Sequence, residues 1–198
     1  GSHMLKIGIL VYDGVEELDF AGPWESMAYV NKIVEKAVKM YSIGTKKEIK
    51  AYNGLKITAD ETIYSAPQMD ILVIPGGRGR KTEMKNEETL RFIRHQYLGL
   101  KYLLSVCTGA FLIAATGLLD GRSATTHKYA IQELMTYPRI KVVEKRIVKS
   151  ENIITAAGIT AGIDLGLYMI DTIFGRDIAL KISEHLEYES KELEEKSF

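Results

Sequence analysis

A repeated switch of hydrophobic period along the chain constrains the fold more than any other feature. Ile7 to Tyr12 is a short, nearly all-apolar, β-branched run that stops at Asp13-Gly14. Such a run suits a strand buried on both faces. After Gly22-Pro23, the residues Met27, Val30, Val34 and Ala37 recur at helical spacing, and Pro23 suits the first turn of that helix. Val38 to Ile43 reads as a second strand, and Asn53-Gly54 inside Ile49 to Thr58 marks a hairpin. Ile71 to Ile74 is a third buried strand, stopped by Pro75-Gly76-Gly77. Leu90, Ile93 and Tyr97 mark a helix, Tyr102 to Val106 a strand, and Phe111 to Leu119 a buried helix ended by Asp120-Gly121. Val142 to Val148 and Ile153 to Ala157 flank a turn at Ser150-Glu151-Asn152. A helical stripe through Ile163, Leu167, Ile170 and Phe174 ends at Gly175, and Asp177 can cap a last helix through Ile178, Ile182 and Leu186. The Glu/Lys-rich tail after Glu184 reads as a solvated helix end. Strands alternating with helices call for an α/β fold: a mostly parallel sheet with helices on both faces.

Composition narrows the function. Lys plus Arg (26) balance Asp plus Glu (26), which excludes a basic nucleic-acid binder. The apolar runs fall far short of the roughly 20 residues of a membrane span, and no secretory leader is read, so neither nucleic acid nor membrane is an expected partner. One cysteine allows no internal disulfide and fits a reducing cytoplasm. Gly1-Ser2-His3 ahead of Met4 reads as a tag scar, leaving 4–198 as a single domain.

The lone cysteine is the focus of the candidate chemistry. Cys107 directly follows an apolar strand and precedes Thr108-Gly109-Ala110 and a helical run, with small residues, Ser105 and Gly109, two positions to either side. That is the pattern of a nucleophile-bearing turn, and a sulfur beside a helix N-terminus is expected to have a lowered pKa. Glu16, Glu17 and Asp19 lie in the loop after the first strand. Loops after parallel strands meet at one edge of the sheet, so Asp19, Gly76, Gly77 and Cys107 converge there. Asp19 reads equally as a helix cap and as an acid. Gly76 and Gly77 read as tight-turn glycines or as backbone donors to a substrate oxyanion. His127 is the histidine nearest a strand end, and either structural or site-lining. No histidine, cysteine and carboxylate cluster has metal-ligand spacing, so no metal is expected.

The blocks Ser105-Val106-Cys107-Thr108-Gly109, Gly117-Leu118-Leu119-Asp120-Gly121-Arg122 and Ala124-Thr125-Thr126-His127 resemble the ThiJ/PfpI superfamily, and within it the isonitrile hydratase branch. Leu18-Asp19-Phe20-Ala21-Gly22-Pro23, Ile74-Pro75-Gly76-Gly77 and Gly158-Ile159-Thr160-Ala161-Gly162-Ile163-Asp164 extend the resemblance from the first strand to about Tyr188. It implies a flavodoxin-like three-layer sandwich, a homodimer, no cofactor, and a small-molecule substrate. It also implies Cys107 as nucleophile in a nucleophile elbow, Asp19 as the acid beside it, and Thr108 as their partner. Peptidase relatives carry histidine directly after the cysteine, where this chain has Thr108. Glyoxalase and deglycase relatives carry glutamate where Asp19 stands. Regulator relatives append a helix-turn-helix region, which this chain is expected to lack. The expected reaction is hydration of an isonitrile to an N-substituted formamide. The alternatives are a thiol enzyme acting on α-oxoaldehydes and a non-enzymatic sensor oxidised at Cys107.

Overall fold

The computed structural model describes residues 3–195. In chain order the elements begin with β1 (Leu5–Val11), α1 (Glu17–Ala28), β2 (Val38–Gly44), β3 (Glu48–Lys50), β4 (Lys56–Thr58), β5 (Glu61–Thr62) and β6 (Ile71–Ile74). They continue with α2 (Arg80–Glu83), α3 (Glu87–Tyr97), β7 (Tyr102–Val106), α4 (Ala110–Thr116), β8 (Ser123–Ala124), α5 (Ile131–Leu134), β9 (Lys141–Val142), β10 (Ile147–Ser150) and β11 (Ile153–Ala156). Three helices follow: α6 (Ala161–Phe174), α7 (Arg176–His185) and α8 (Lys191–Glu195).

Seven strands form the main sheet in the order β10-β11-β7-β6-β1-β2-β5, and every pairing is parallel except β10 with β11. The alternation of side chains separates two cores. On β6, Leu72 and Ile74 join Leu103, Phe111 and Leu112 on one face, while Ile71 and Val73 join Ile9, Leu104 and Leu165 on the other. Each of these fully buried apolar side chains contributes about 2 kcal/mol of burial free energy. The result is the three-layer arrangement that the strand–helix alternation requires. The Asn53-Gly54 signal is realised as the β3–β4 hairpin, with Gly54 at φ +99°.

Several boundaries differ from the sequence reading. α1 starts at Glu17, which places Asp19 in its first turn rather than in a loop, and Pro23 falls inside the helix. Pro23 costs one backbone hydrogen bond there, but the Gly22-Pro23 step fits where α1 crosses α6. A β-carbon on Gly162 would sit 2.9 Å from Pro23 Cδ, and one on Gly166 would sit 1.8 Å from Ser26 Oγ. Close helix packing, not helix initiation, explains the proline. The apolar stripe also runs past its helix: Val34 and Ala37 follow the 3-10 turn Tyr29–Lys32, and Lys36 adopts φ +51°. α4 ends at Thr116 because Gly117 takes the left-handed conformation (φ +85°), before Asp120-Gly121. Gly175, not Asp177, occupies the N-cap of α7. The tail folds back rather than trailing into solvent. Leu193 is buried in the core that contains α6, and Tyr188 and Ser190 hydrogen-bond the carboxylate of Asp164 on that helix.

Candidate active site

The site forms where β1, β6 and β7 end, as parallel topology requires. Val106 is still extended (φ −124°), and Cys107 then flips to φ +57° before the 3-10 turn Cys107–Gly109 leads into α4. A non-glycine residue in that region stores strain of order 1–3 kcal/mol, and surrounding bonds must hold it. They do so from two sides. The Cys107 amide donates to the Ala157 carbonyl (2.9 Å), and the Thr126 hydroxyl donates to the Cys107 carbonyl (2.9 Å).

The turn after β6 is pressed against the same point. A β-carbon on Gly76 would lie 2.5 Å from the Thr108 nitrogen, and one on Gly109 would lie 1.9 Å from the Ile74 carbonyl oxygen. Backbone therefore meets backbone with no room for side chains. The Gly76 amide donates to Asp19 Oδ2 (3.0 Å), and the Gly77 amide donates to Thr108 Oγ1 (3.0 Å). Both amides offered by the sequence as oxyanion donors are thus engaged with Asp19 and Thr108 in this form. Gly77 adopts φ +123°, which lets the turn pass within contact of Glu16 and Gly14.

Asp19 is fully buried, and its Oδ1 has no completed hydrogen bond among the described residues. The Cys107 thiol lies within electrostatic and hydrogen-bonding reach of this carboxyl without closing a bond to Oδ1. Burial above all pushes the Asp19 carboxyl up to about 8; the Gly76 amide works against that, and the Glu16 charge adds to it. Burial likewise pushes Cys107 up to about 12, reinforced by Asp19, although the Thr108 amide and hydroxyl pull it down. This corrects the expectation of a lowered thiol pKa. Cys107 is only 6% exposed beside a buried acid, and desolvation of the thiolate outweighs the amides of a short helix. At neutral pH the pair is a thiol next to a carboxylic acid.

His127 makes no hydrogen bond to this pair among the described residues. Its Nδ1 accepts the Tyr129 amide (3.1 Å), capping the 3-10 turn Lys128–Ala130, and its ring packs over Gly158. Those contacts are structural. Two supporting residues escaped sequence reasoning. Thr126 lies within the Ala-Thr-Thr-His block, so it could have been found there. Ala157 follows from register: Ala156 pairs with Val106, so the next carbonyl falls on the Cys107 amide.

Comparison with known proteins identifies the family. The sequence model of the DJ-1/PfpI family matches residues 5–172. The chain belongs to the DJ-1/PfpI family. It is similar to isonitrile hydratase of Pseudomonas putida, with 35% identity over 184 residues that cover 93% of this chain and 78% of that protein. It is also similar to the HTH-type transcriptional regulator GbdR of Pseudomonas aeruginosa, at 27% identity over 187 residues, where it spans only 51% of the relative's length. A ThiJ/PfpI family protein from Pseudomonas syringae has the same fold, with a TM-score of 0.87 at 30% identity over 96% of this chain and 77% of that one. No helix among the described residues is long and apolar enough to cross a membrane.

Proposed function

We propose that this DJ-1/PfpI chain hydrates isonitriles, adding water to R–N≡C to give the N-substituted formamide. The observation that carries the reading is the fully buried Asp19 carboxyl near the chain's one thiol, held by the Gly76 amide at Oδ2 and with no hydrogen bond at Oδ1 among the described residues; burial pushes its pKa up to about 8. The terminal carbon of an isonitrile holds a lone pair and becomes electrophilic when it is protonated. A neutral acid beside a neutral thiol suits that requirement better than a free thiolate does.

Asp19 delivers its proton to the terminal carbon while the Cys107 sulfur bonds to the same atom. The thiol proton passes to Asp19, so the product is the thioimidate R–N=CH–S–Cys107 and the carboxyl is neutral again. The high thiol pKa is then no obstacle, because no free thiolate accumulates. Water next adds across the C=N bond, with Asp19 protonating nitrogen and taking a proton from the water. Collapse of R–NH–CH(OH)–S–Cys107 expels the sulfur, which recovers the hydroxyl proton, and releases R–NH–CHO. Thr108 Oγ1 accepts from the Gly77 amide, which leaves its own proton to steady the sulfur or orient the water. In this reading Gly76 and Gly77 act by aiming Asp19 and Thr108, Cys107 sits in a nucleophile elbow, and His127 holds the neighbouring loop.

The test is consumption of a simple alkyl isonitrile with appearance of its formamide, in wild type and Cys107→Ala. Turnover abolished at least about 10³-fold by the substitution supports the reading. Equal rates in the two proteins, or lactate from methylglyoxal with the isonitrile untouched, would overturn it, the latter in favour of α-oxoaldehyde chemistry.

A further inference from the structure

Tyr12 is the largest side chain that is completely buried, and nothing in the proposed reaction uses it. It lies just past β1, and its hydroxyl donates to the Pro75 carbonyl oxygen at 2.6 Å. That carbonyl belongs to the peptide group whose N–H, on Gly76, donates to Asp19 Oδ2 at 3.0 Å. One planar amide is therefore gripped at both ends, by a phenol at its oxygen and by the buried carboxyl at its nitrogen. The plane cannot rotate without breaking one of the two bonds.

We propose that Tyr12 is a positioning residue for Asp19, acting through the Pro75–Gly76 peptide group to orient the carboxyl and to strengthen the amide that holds it. Donation into a carbonyl oxygen draws electron density from the amide and makes its N–H a better donor, a cooperative gain of about 10–30% per bond in a chain of hydrogen bonds. The site favours this relay. Both bonds are buried, and the same turn also presents the Gly77 amide to Thr108, so a displaced peptide would release both partners of Cys107. The groups facing Tyr12 are Asp19, Cys107, Glu83 and Arg80, with burial dominating, and its phenol stays neutral throughout the range in which Asp19 titrates. Tyr12 therefore acts as a fixed dipole and not as a second acid.

The direction of its effect is determined. A stronger Gly76 N–H favours the charged carboxylate, so loss of the hydroxyl raises the Asp19 midpoint and a stronger phenol donor lowers it. The proposal deepens the catalytic reading of Asp19, but its main readout does not need a substrate. In 13C-labelled protein, the Asp19 carboxyl resonance, assigned by its absence in Asp19→Asn, is titrated from pH 5 to 10. Tyr12→Phe should raise the midpoint by at least about 0.3 unit, and 3-fluorotyrosine at position 12 should lower it. Leu10→Val, a cavity in the same core with no link to the peptide, should leave it in place. If Tyr12→Phe fails to fold, the fluorinated protein alone decides the matter. Opposite shifts support the relay. Midpoints unmoved in the Tyr12 proteins, or moved equally by Leu10→Val, overturn it. In the hydration assay Tyr12→Phe should lower kcat about tenfold with KM within twofold. An inactive wild type would count against the hydration reading while leaving the titration result intact.

Discussion

Asp19 is a carboxyl placed where a carboxylate is penalised, and the penalty has a stability signature. Its folded pKa of about 8 lies above the ordinary carboxylate value. Between those two values the folded protein holds a proton that the unfolded chain has released. Asp19's contribution is therefore fully present below about pH 4 and is lost as pH rises through the folded value. Asp19→Asn removes this slope. Urea unfolding at pH 4.5 and at pH 8 should show the variant gaining on wild type by a few kcal/mol, on the order of the shift itself, over that interval. Parallel stability curves would mean that Asp19 is already ionised in the folded state. At this scale the sequence was informative about identity but gave the thiol the wrong environment. Cys107 was legible from the strand before it, the small residues around it and the helical run after it. Its protonation state was not, because spacing shows a helix N-terminus but does not show that a buried acid from α1 closes over the sulfur. Tyr12 read equally as a pocket-lining, core or dimer-contact residue, and its hydrogen bond was hidden because the carbonyl it holds lies 63 residues away in sequence.

The elements meet at the site through glycines, and one of these, set against a glycine outside the site, tests the packing. A β-carbon on Gly109 would fall 1.9 Å from the Ile74 carbonyl, whereas one on Gly117 would meet nothing within 4 Å. Gly109→Ala must push the Cys107 turn off the end of β6. It should cost more than about 3 kcal/mol in denaturant unfolding and abolish thiol chemistry. Gly117→Ala suffers only from its φ of +85° and should cost about 1 kcal/mol. Similar costs at the two positions would show that the two turns are not in rigid contact. Strands and their order of appearance were the legible part of this layer, because buried runs bounded by glycine and proline carry their own punctuation. The α1 boundary was not. Pro23 is usually a helix-starting signal, and only the crossing with Gly162 and Gly166 shows why it is tolerated within the helix.

Across the whole molecule, one buried carboxylate helps tie the last segment to the body. Asp164 on α6 is buried, receives Arg146 Nε and Nη2 at 2.6 Å, and accepts hydrogen bonds from Tyr188 and Ser190 of the tail. Arg146, half-exposed just before β10, also reaches Thr160 at 2.9 Å, so sheet edge, loop and tail share one anchor. Asp164→Ala leaves the guanidinium without its partner and should cost about 2–3 kcal/mol, discounted for the exposure of Arg146. Tm should then fall by about 4–12 °C, and limited proteolysis should begin between Leu186 and Ser190. Unchanged Tm and protease resistance would show that the tail docks without Asp164, through buried Leu193 and the bonds from Arg176 and Ser183 to its backbone carbonyls. Its charged composition concealed this docking, because the ligand for its two hydroxyls comes from a helix more than 20 residues earlier.

The catalytic role of a neutral Asp19–Cys107 pair is tested most directly by the pH dependence of kcat/KM for isonitrile hydration between pH 5 and 10, which reports the ionisations of the free enzyme. A protonated Asp19 as the working form gives a rate that is flat below about pH 8 and falls about tenfold per unit above it, as the carboxyl loses its proton. A rate that climbs through pH 8 toward the thiol's value near 12 would show that the free thiolate reacts, and would contradict a proton-donating role for Asp19.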